Sequence, residues 1–314
     1  MSFSMNVKEE LVRIIPDKAC CIKSELSALL HCSGSIVLLG SMNIGFKINT
    51  ESAAIARLLF IFFKKQYGIK SKIIVTSNHH LNKNNVYTLN LGVDKKDILL
   101  DLGIIRMDKD GSADICYSID KSIIRKDCSK RAYIRGAFLG CGSLTDPEKT
   151  YHMEFVIDNL NYARSLKHLL NHYGLGAKII ERKNHYVIYL KDGDKISDTL
   201  KLIGAFESIL ELENIRAFKD IRNNINRIVN CETANLDKTV NAAVRQRRNI
   251  NYIKVKIGLE HLPRELREVA ELRLEHENAS LKELGEMMSP KLGKSGVNHR
   301  LRRLDELAEA LRHR

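Results

Sequence analysis

The chain has 314 residues, with 51 Lys and Arg against 38 Asp and Glu, for a formal net charge of +13. That length suits about two domains, each large enough for its own core. The charge points to a polyanionic partner, nucleic acid before a membrane. No basic leader runs into an apolar core at the start, and no apolar run is long enough to span a bilayer, since Arg57 interrupts even 53–63; the expectation is a cytoplasmic protein with no membrane contact. The seven cysteines are odd in number and scattered without a Cys-x-x-Cys pair, which argues against both a disulfide frame and a zinc site.

In chain order, the first informative stretch is 26–35, an apolar helical run ending on Gly-Ser with small Ala28 and Cys32 four apart. Strands at 36–39 and 44–48 follow, then a helix from about Thr50 that stops at Tyr67-Gly68, then strands at 73–75 and 86–91. The series then repeats. Residues 134–143 are again an apolar helix ending on Gly-Ser, with Gly136 and Gly140 four apart, and Ser129 is a plausible N-cap. A strand at 151–157, a helix from about Asn159 to Tyr173-Gly174 and strands at 177–181 and 186–190 complete it. The best-matched pieces are roughly 106 to 109 residues apart, and such internal repeats decide the architecture before local detail does. Small residues at i and i+4 line one helix face and admit another backbone, so the two helices are expected to pack on each other.

Between the copies, 121–135 carries six basic residues against Asp127, a solvated face or a nucleic-acid contact on equal terms. The start of a calcium loop at 108–111 lacks its later oxygen ligands and reads as a turn. His168 and His172 are four apart but have no third ligand, so they read as a polar helix face. Cys32 and Cys141 read as small packing residues.

Past Gly204 the pattern is wholly helical. Ile215, Phe218, Ile221, Ile225, Ile228 and Val229 recur at three- and four-residue steps, as one buried face would require. Arg245, Arg247 and Arg248 lie in the basic helical stretch that follows and suit phosphate contacts or a solvated linker. A helix starting after Pro263 carries Leu266, Val269 and Ala270 inside; Ser280 and Glu283 form a capping-box pattern for a second, in which Gly285 is kept small where the next helix crosses. Ser295 is expected to cap a third helix, with Val297, Leu301 and Leu304 on its buried side. Ser295, Asn298, His299 and Arg302 then suit base edges, while Lys291, Lys294, Arg300 and Arg303 suit phosphates.

The paired helices resemble the LAGLIDADG motif of homing endonucleases, which implies a saddle-shaped α/β domain whose two acidic residues hold divalent metals. Ser33 and Cys141 stand at those positions here, and neither supplies the hard oxygen that Mg²⁺ takes; nuclease chemistry and a metal cofactor are not expected. Residues 135–152 (RGAFLGCGSLTDPEKTYH), 230–245 (NCETANLDKTVNAAVR) and 293–301 (GKSGVNHRL) are similar to the bacterial WhiA family of sporulation and cell-division regulators. That resemblance implies an α+β fold: a duplicated αββαββ domain with pseudo-two-fold symmetry over 1–220 (repeats about 20–105 and 129–204), a basic helical connector over 221–256, and an all-α helix-turn-helix domain over 257–314. It implies a nucleoid-associated, monomeric, non-catalytic protein that binds specific double-stranded DNA sequences. A structural adaptor, whose endonuclease-like domain holds another protein, is the alternative.

Overall fold

The computed structural model describes residues 2–39, 43–77, 85–92, 95–108 and 113–313. The chain divides into two compact units, Met1–Lys219 and Asp220–Arg314.

In the first unit, α1 (Phe3–Leu11) precedes α2 (Ala19–Ser33), β1 (Gly34–Leu39), β2 (Asn43–Thr50), α3 (Ala53–Tyr67), β3 (Lys72–Ser77) and β4 (Asn85–Asn90). A short α4 (Lys96–Asp101) and the hairpin β5 (Ile105–Met107) and β6 (Ala113–Ile115) lead to the second copy. That copy is α5 (Asp127–Cys141), β7 (Gly142–Leu144), β8 (Met153–Ile157), α6 (Leu160–His172), β9 (Lys178–Arg182) and β10 (His185–Leu190). The two four-stranded antiparallel sheets have the same strand order, β1-β2-β4-β3 and β7-β8-β10-β9, so the duplication predicted from the sequence is present. Gly68 and Gly174 follow α3 and α6 at φ values of 67° and 68°, a left-handed conformation that glycine adopts without steric cost. The turn expected at 108–111 lies mostly outside the described residues.

The core is built on α2 against α5. A Cβ added to Gly136 would stand 2.4 Å from the Glu25 carbonyl oxygen, and one on Gly140 would stand 2.7 Å from Cys32 Cβ; the small residues are what let these backbones touch. One charged pair is sealed into the contact. Glu25 is fully buried and Arg135 only 8% exposed; Arg135 donates to Glu25 Oε2 from Nε (3.0 Å) and Nη2 (2.6 Å). Arg135 Nη1 donates to the Ile203 carbonyl at 3.4 Å. Arg135, counted at first among the surface cations of 121–135, is therefore an internal tie between the repeats. Burial pushes the Glu25 carboxyl up to about 7, and the guanidinium opposes that only in part.

Two helices besides the short α4 were not anticipated. α1 is short but buries Phe3, Val7 and Leu11. Helix α7 (Gly193–Ile203) is capped by Asp192, buries Ile196, Leu200 and Ile203, and ends on Gly204. The Ser129 cap also fails: α5 already starts at Asp127 after Lys126, which offers no side-chain cap. Ser129 is buried inside the first turn, its Oγ donating to the Cys20 carbonyl at 3.5 Å.

Helix α8 runs Phe206–Lys256. In the first unit its early turns pack through Leu212, and Lys219 Nζ donates to the Pro147 carbonyl at 2.9 Å. In the second unit, residues 221–241 are exposed on every side. Phe218, Ile221, Ile225, Ile228 and Val229 are 69, 56, 54, 59 and 51% exposed, which corrects the expectation of a buried face. Periodicity identifies an apolar stripe but does not say whether anything covers it. The last turns of α8 are different, since Ile250 and Ile253 join the core of the second unit. Among the described residues no helix is long and apolar enough to cross a membrane.

The buried pair gives a signed pH test. Between about 4.5 and about 7 the folded chain holds a proton on Glu25 that the unfolded chain releases. This stabilising contribution, complete below 4.5, is lost as pH rises through 7. Glu25→Gln removes that part of the pH dependence, so the melting temperature of the unmodified protein falls relative to the variant's as pH rises from about 4.5 to about 7, and the two curves run parallel outside this window.

Candidate nucleic-acid interface

After a 3-10 turn at Leu259–His261, the second unit holds α9 (Arg264–Glu275), α10 (Leu281–Met287) and α11 (Lys294–Arg312). Ser280 opens α10 with the predicted reciprocal cap: Glu283 N donates to Ser280 Oγ (3.3 Å) and Ser280 N donates to Glu283 Oε2 (2.7 Å). Gly285 is small for a sharper reason than helix crossing alone. A Cβ there would lie 2.0 Å from the Leu292 carbonyl oxygen and 3.2 Å from Val297 Cγ2, while Leu292 N donates to the Gly285 carbonyl at 2.9 Å. The turn before α11 is thus fastened onto α10.

The Ser295 cap does not form. α11 begins at Lys294 after Gly293, with no side-chain cap, so Ser295 lies in the first turn and faces outward. Val297, Leu301, Leu304 and Ala308 are buried with Leu266, Val269, Ala270 and Leu284. The opposite face presents Ser295, Asn298, His299, Arg302 and Arg303, and Lys291 and Lys294 are exposed at its start. Arg302 Nε lies 3.5 Å from Glu306 Oε1, with both side chains largely exposed; such a pair holds its partners weakly. Arg300 is drawn inward, its Nη2 3.6 Å from Glu265 Oε2 and its side chain 18% exposed.

The end of α8 is part of this unit. Asn249 Nδ2 donates to Asp305 Oδ1 (2.7 Å), and Arg312 Nη2 donates to Asn249 Oδ1 (2.6 Å). A cleft of about 540 Å³ between α8 and α11 is lined by Arg245, Gln246, Asn249, Asn298, Arg302 and Asp305, among others. The three arginines predicted as one group therefore separate. Arg245 leans 3.6 Å from Asp305 Oδ2, Arg247 pairs with Glu277, and Arg248 is exposed.

In the first unit, the positions that carry metal-binding acids in LAGLIDADG enzymes hold other chemistry. Cys32 Sγ and Cys141 Sγ are 2.9 Å apart across the two helices, and Ser33 Oγ donates to the Gly140 carbonyl at 3.4 Å. The contact with Cys32, followed by burial, pushes the Cys141 thiol well above its ordinary range. His31 stacks on Tyr162 with ring centroids 4.7 Å apart and faces the Ser27 and Cys116 carbonyls at 2.9 and 3.2 Å; burial lowers its pKa and favours the neutral ring. Among the described residues no group of three His, Cys, Asp or Glu gathers around Ser33 and Cys141. Neutral thiols, a hydroxyl and an imidazole do not fit a hard divalent cation.

The only such group among the described residues lies at the other end of the same helices, where Cys20, Cys21 and Cys128 come together. The sequence reading missed it, because α2 supplies two of the thiols and α5 the third, and spacing along the chain gives no signal. His168 and His172 both line a cleft of about 440 Å³ with Lys121, Lys130 and Arg164; Lys130 Nζ and His172 Nε2 are 3.0 Å apart.

A duplicated LAGLIDADG-like domain joined to a helix-turn-helix unit defines the class. Three family models match in order: the WhiA N-terminal LAGLIDADG-like domain over residues 19–105, the WhiA LAGLIDADG-like domain over 130–222, and the WhiA C-terminal HTH domain over 225–308. The chain belongs to the WhiA family. It is 52% identical over 311 residues to the probable cell division protein WhiA of Alkaliphilus metalliredigens, covering 98% of each chain. It is 50% identical to the protein of the same name from Clostridium botulinum, covering 99% of each. The crystal structure of full-length DUF199/WhiA from Thermatoga maritima matches 99% of both chains, with a TM-score of 0.60 and 27% identity.

Because a backbone carbonyl fills the space above Gly285, Gly285→Ala should destabilise the second unit by about 1–3 kcal/mol. Thermal unfolding followed by circular dichroism checks this, with Gly293→Ala as a comparison because a Cβ there meets nothing within 4 Å. Equal melting temperatures for the two variants would refute the crowding argument.

Proposed function

We propose that this protein binds specific sequences of double-stranded DNA through α11, as a transcription regulator acting in cell division, chromosome segregation or sporulation, without nuclease activity. The observation that carries the reading is the outward face of α11 and the turn before it. Residues 287–304 contain five Lys or Arg and no acid, and Met288, Val297, Leu301 and Leu304 are turned into the core while Met287 stays exposed. A helix with that division enters the major groove by its N-terminal part. Ser295, Asn298, His299 and Arg302 then read base edges, while Lys291, Lys294 and Arg303 hold phosphates.

Arg248 extends the phosphate contacts onto the end of α8. Arg245 and Arg247 join only by exchanging their present carboxylate partners, and Arg300 only by leaving Glu265. One chain supplies both halves of the duplicated domain, so the protein works as a monomer, in the cytoplasm on the nucleoid. The exposed apolar row of Phe218, Ile221, Ile225 and Ile228 is the one observation that also favours a protein partner.

Binding sites mapped by crosslinking in cells supply the duplex for the test. Arg302→Ala should weaken binding to that duplex by about 1–3 kcal/mol and relax preference at one base position. Arg303→Ala should weaken all duplexes alike and reduce the log–log salt slope by about 0.9. Anisotropy titrations at several salt concentrations read both, and unchanged affinity and slope in both variants would remove α11 from the groove. Incubation with the same duplex and Mg²⁺ or Mn²⁺ should give no nicking. Cleavage that depends on the protein and is abolished by a chelator would overturn the non-catalytic reading.

A further inference from the structure

The N-terminal ends of the two central helices hold a second constellation, separate from the Cys32–Cys141 contact. Cys20 and Cys21 lie in the first turn of α2, and Cys128 lies in the first turn of α5. Their sulfur atoms are all within 4.8 Å of one another. Sulfurs sharing one cation lie about 3.8 Å apart, given metal–sulfur bonds of about 2.3 Å, so small side-chain rotations close the set. Cys20 and Cys128 are the second residues of their helices, related by the pseudo-two-fold axis. Ser129 occupies in α5 the third position that Cys21 occupies in α2.

The surroundings choose the charge and the hardness of a ligand. The free N–H groups of two helix starts converge here, and such starts favour thiolates. Ser129 Oγ donates to the Cys20 carbonyl at 3.5 Å, and Lys126 precedes α5 at the same end. The nearest carboxylate in sequence, Asp127, is occupied by Tyr173 Oη (2.7 Å) and Arg131 Nε (2.8 Å). Cys20 and Cys128 are half-exposed while Cys21 is buried, which gives an entry path and a closed floor.

We propose that Cys20, Cys21 and Cys128 form a three-thiolate site for a thiophilic d¹⁰ cation, Zn²⁺ or Cu⁺, that ties the two repeats together at the starts of their central helices. Sulfur-only coordination excludes Mg²⁺ and Ca²⁺. Binding releases thiol protons and draws no electrons, so no oxidant enters.

The test uses the full chain, reduced and free of metal, titrated separately with Zn²⁺ and with buffered Cu⁺ against a competing chelating dye. The expected result is one equivalent of one of these ions and a higher melting temperature once it is bound. The two titrations decide which ion the site takes. Cys20→Ser with Cys128→Ser abolishes binding, whereas Cys231→Ser leaves it intact. Ser129→Cys, which supplies a fourth thiol, should tighten Zn²⁺ binding and give Co²⁺ a more intense tetrahedral thiolate spectrum. Should the double variant fail to fold, alkylation of the unmodified protein decides the question: the ion must slow modification of Cys20 and Cys128 and leave exposed Cys231 unaffected. Failure to bind either ion, equal binding in the folded double variant, or uniform alkylation with and without metal would each overturn the proposal.

Discussion

The first unit depends on the approach of α2 to α5. Two backbones close enough that a single methyl at Gly136 would strike a carbonyl cannot also accommodate bulky side chains, so polar groups trapped there must satisfy one another. Glu25 Oε2 and Arg135 do so across the repeats, while Glu25 Oε1 is buried without a partner. Removing two opposite charges from water is costly, and a buried pair is weak evidence for net stability. Its effect here is on specificity. A slip of either helix by one residue would separate the carboxylate from the guanidinium, leaving both unpaired in the apolar interior. The pair fixes the register in which the repeats join, and the two sheets follow from that register.

That constraint also governs which groups stand where LAGLIDADG enzymes carry their acids. Cys32, Cys141 and Ser33 fill the space with small, weakly polar groups, and His31 is stacked against Tyr162, where burial lowers its pKa. The helix ends have become packing. Charge suited to nucleic acid is concentrated instead on α11, whose apolar side is fully used in building the second unit. On the proposed reading, scaffold and recognition surface are assigned to different units of the chain.

Much of this was legible in the sequence, for identifiable reasons. Residues four apart with small side chains state their requirement locally, as do Gly68 and Gly174 after their helices and the reciprocal Ser280–Glu283 cap. Contacts set by distant chain were not legible. Ser129 and Ser295 have the composition of caps, yet their helices start earlier, at Asp127 and Lys294, and nothing within a few residues announces that. The stripe from Phe218 to Val229 has the period of a buried face without the cover. Arg135 looked like one more surface cation because its partner lies 110 residues away. The cluster of Cys20, Cys21 and Cys128 was hidden for the same reason.

The first helix belongs, in space, to the wrong half of the duplication. Ser4 Oγ accepts from Leu144 N in the second copy at 3.1 Å, Lys8 Nζ sits 5.9 Å from the centre of the Phe138 ring, and the Glu10 carboxylate accepts from the Glu207 and Ser208 amides at the start of α8, at 2.8 and 2.9 Å. A carboxylate at a helix start satisfies amides that have no partner in their own helix. During synthesis this segment must therefore wait for partners as many as 198 residues later in the chain. The duplication is consequently no longer divisible: a cut between the repeats would leave the second without the helix that covers it, and α8 without the group that holds its first turn.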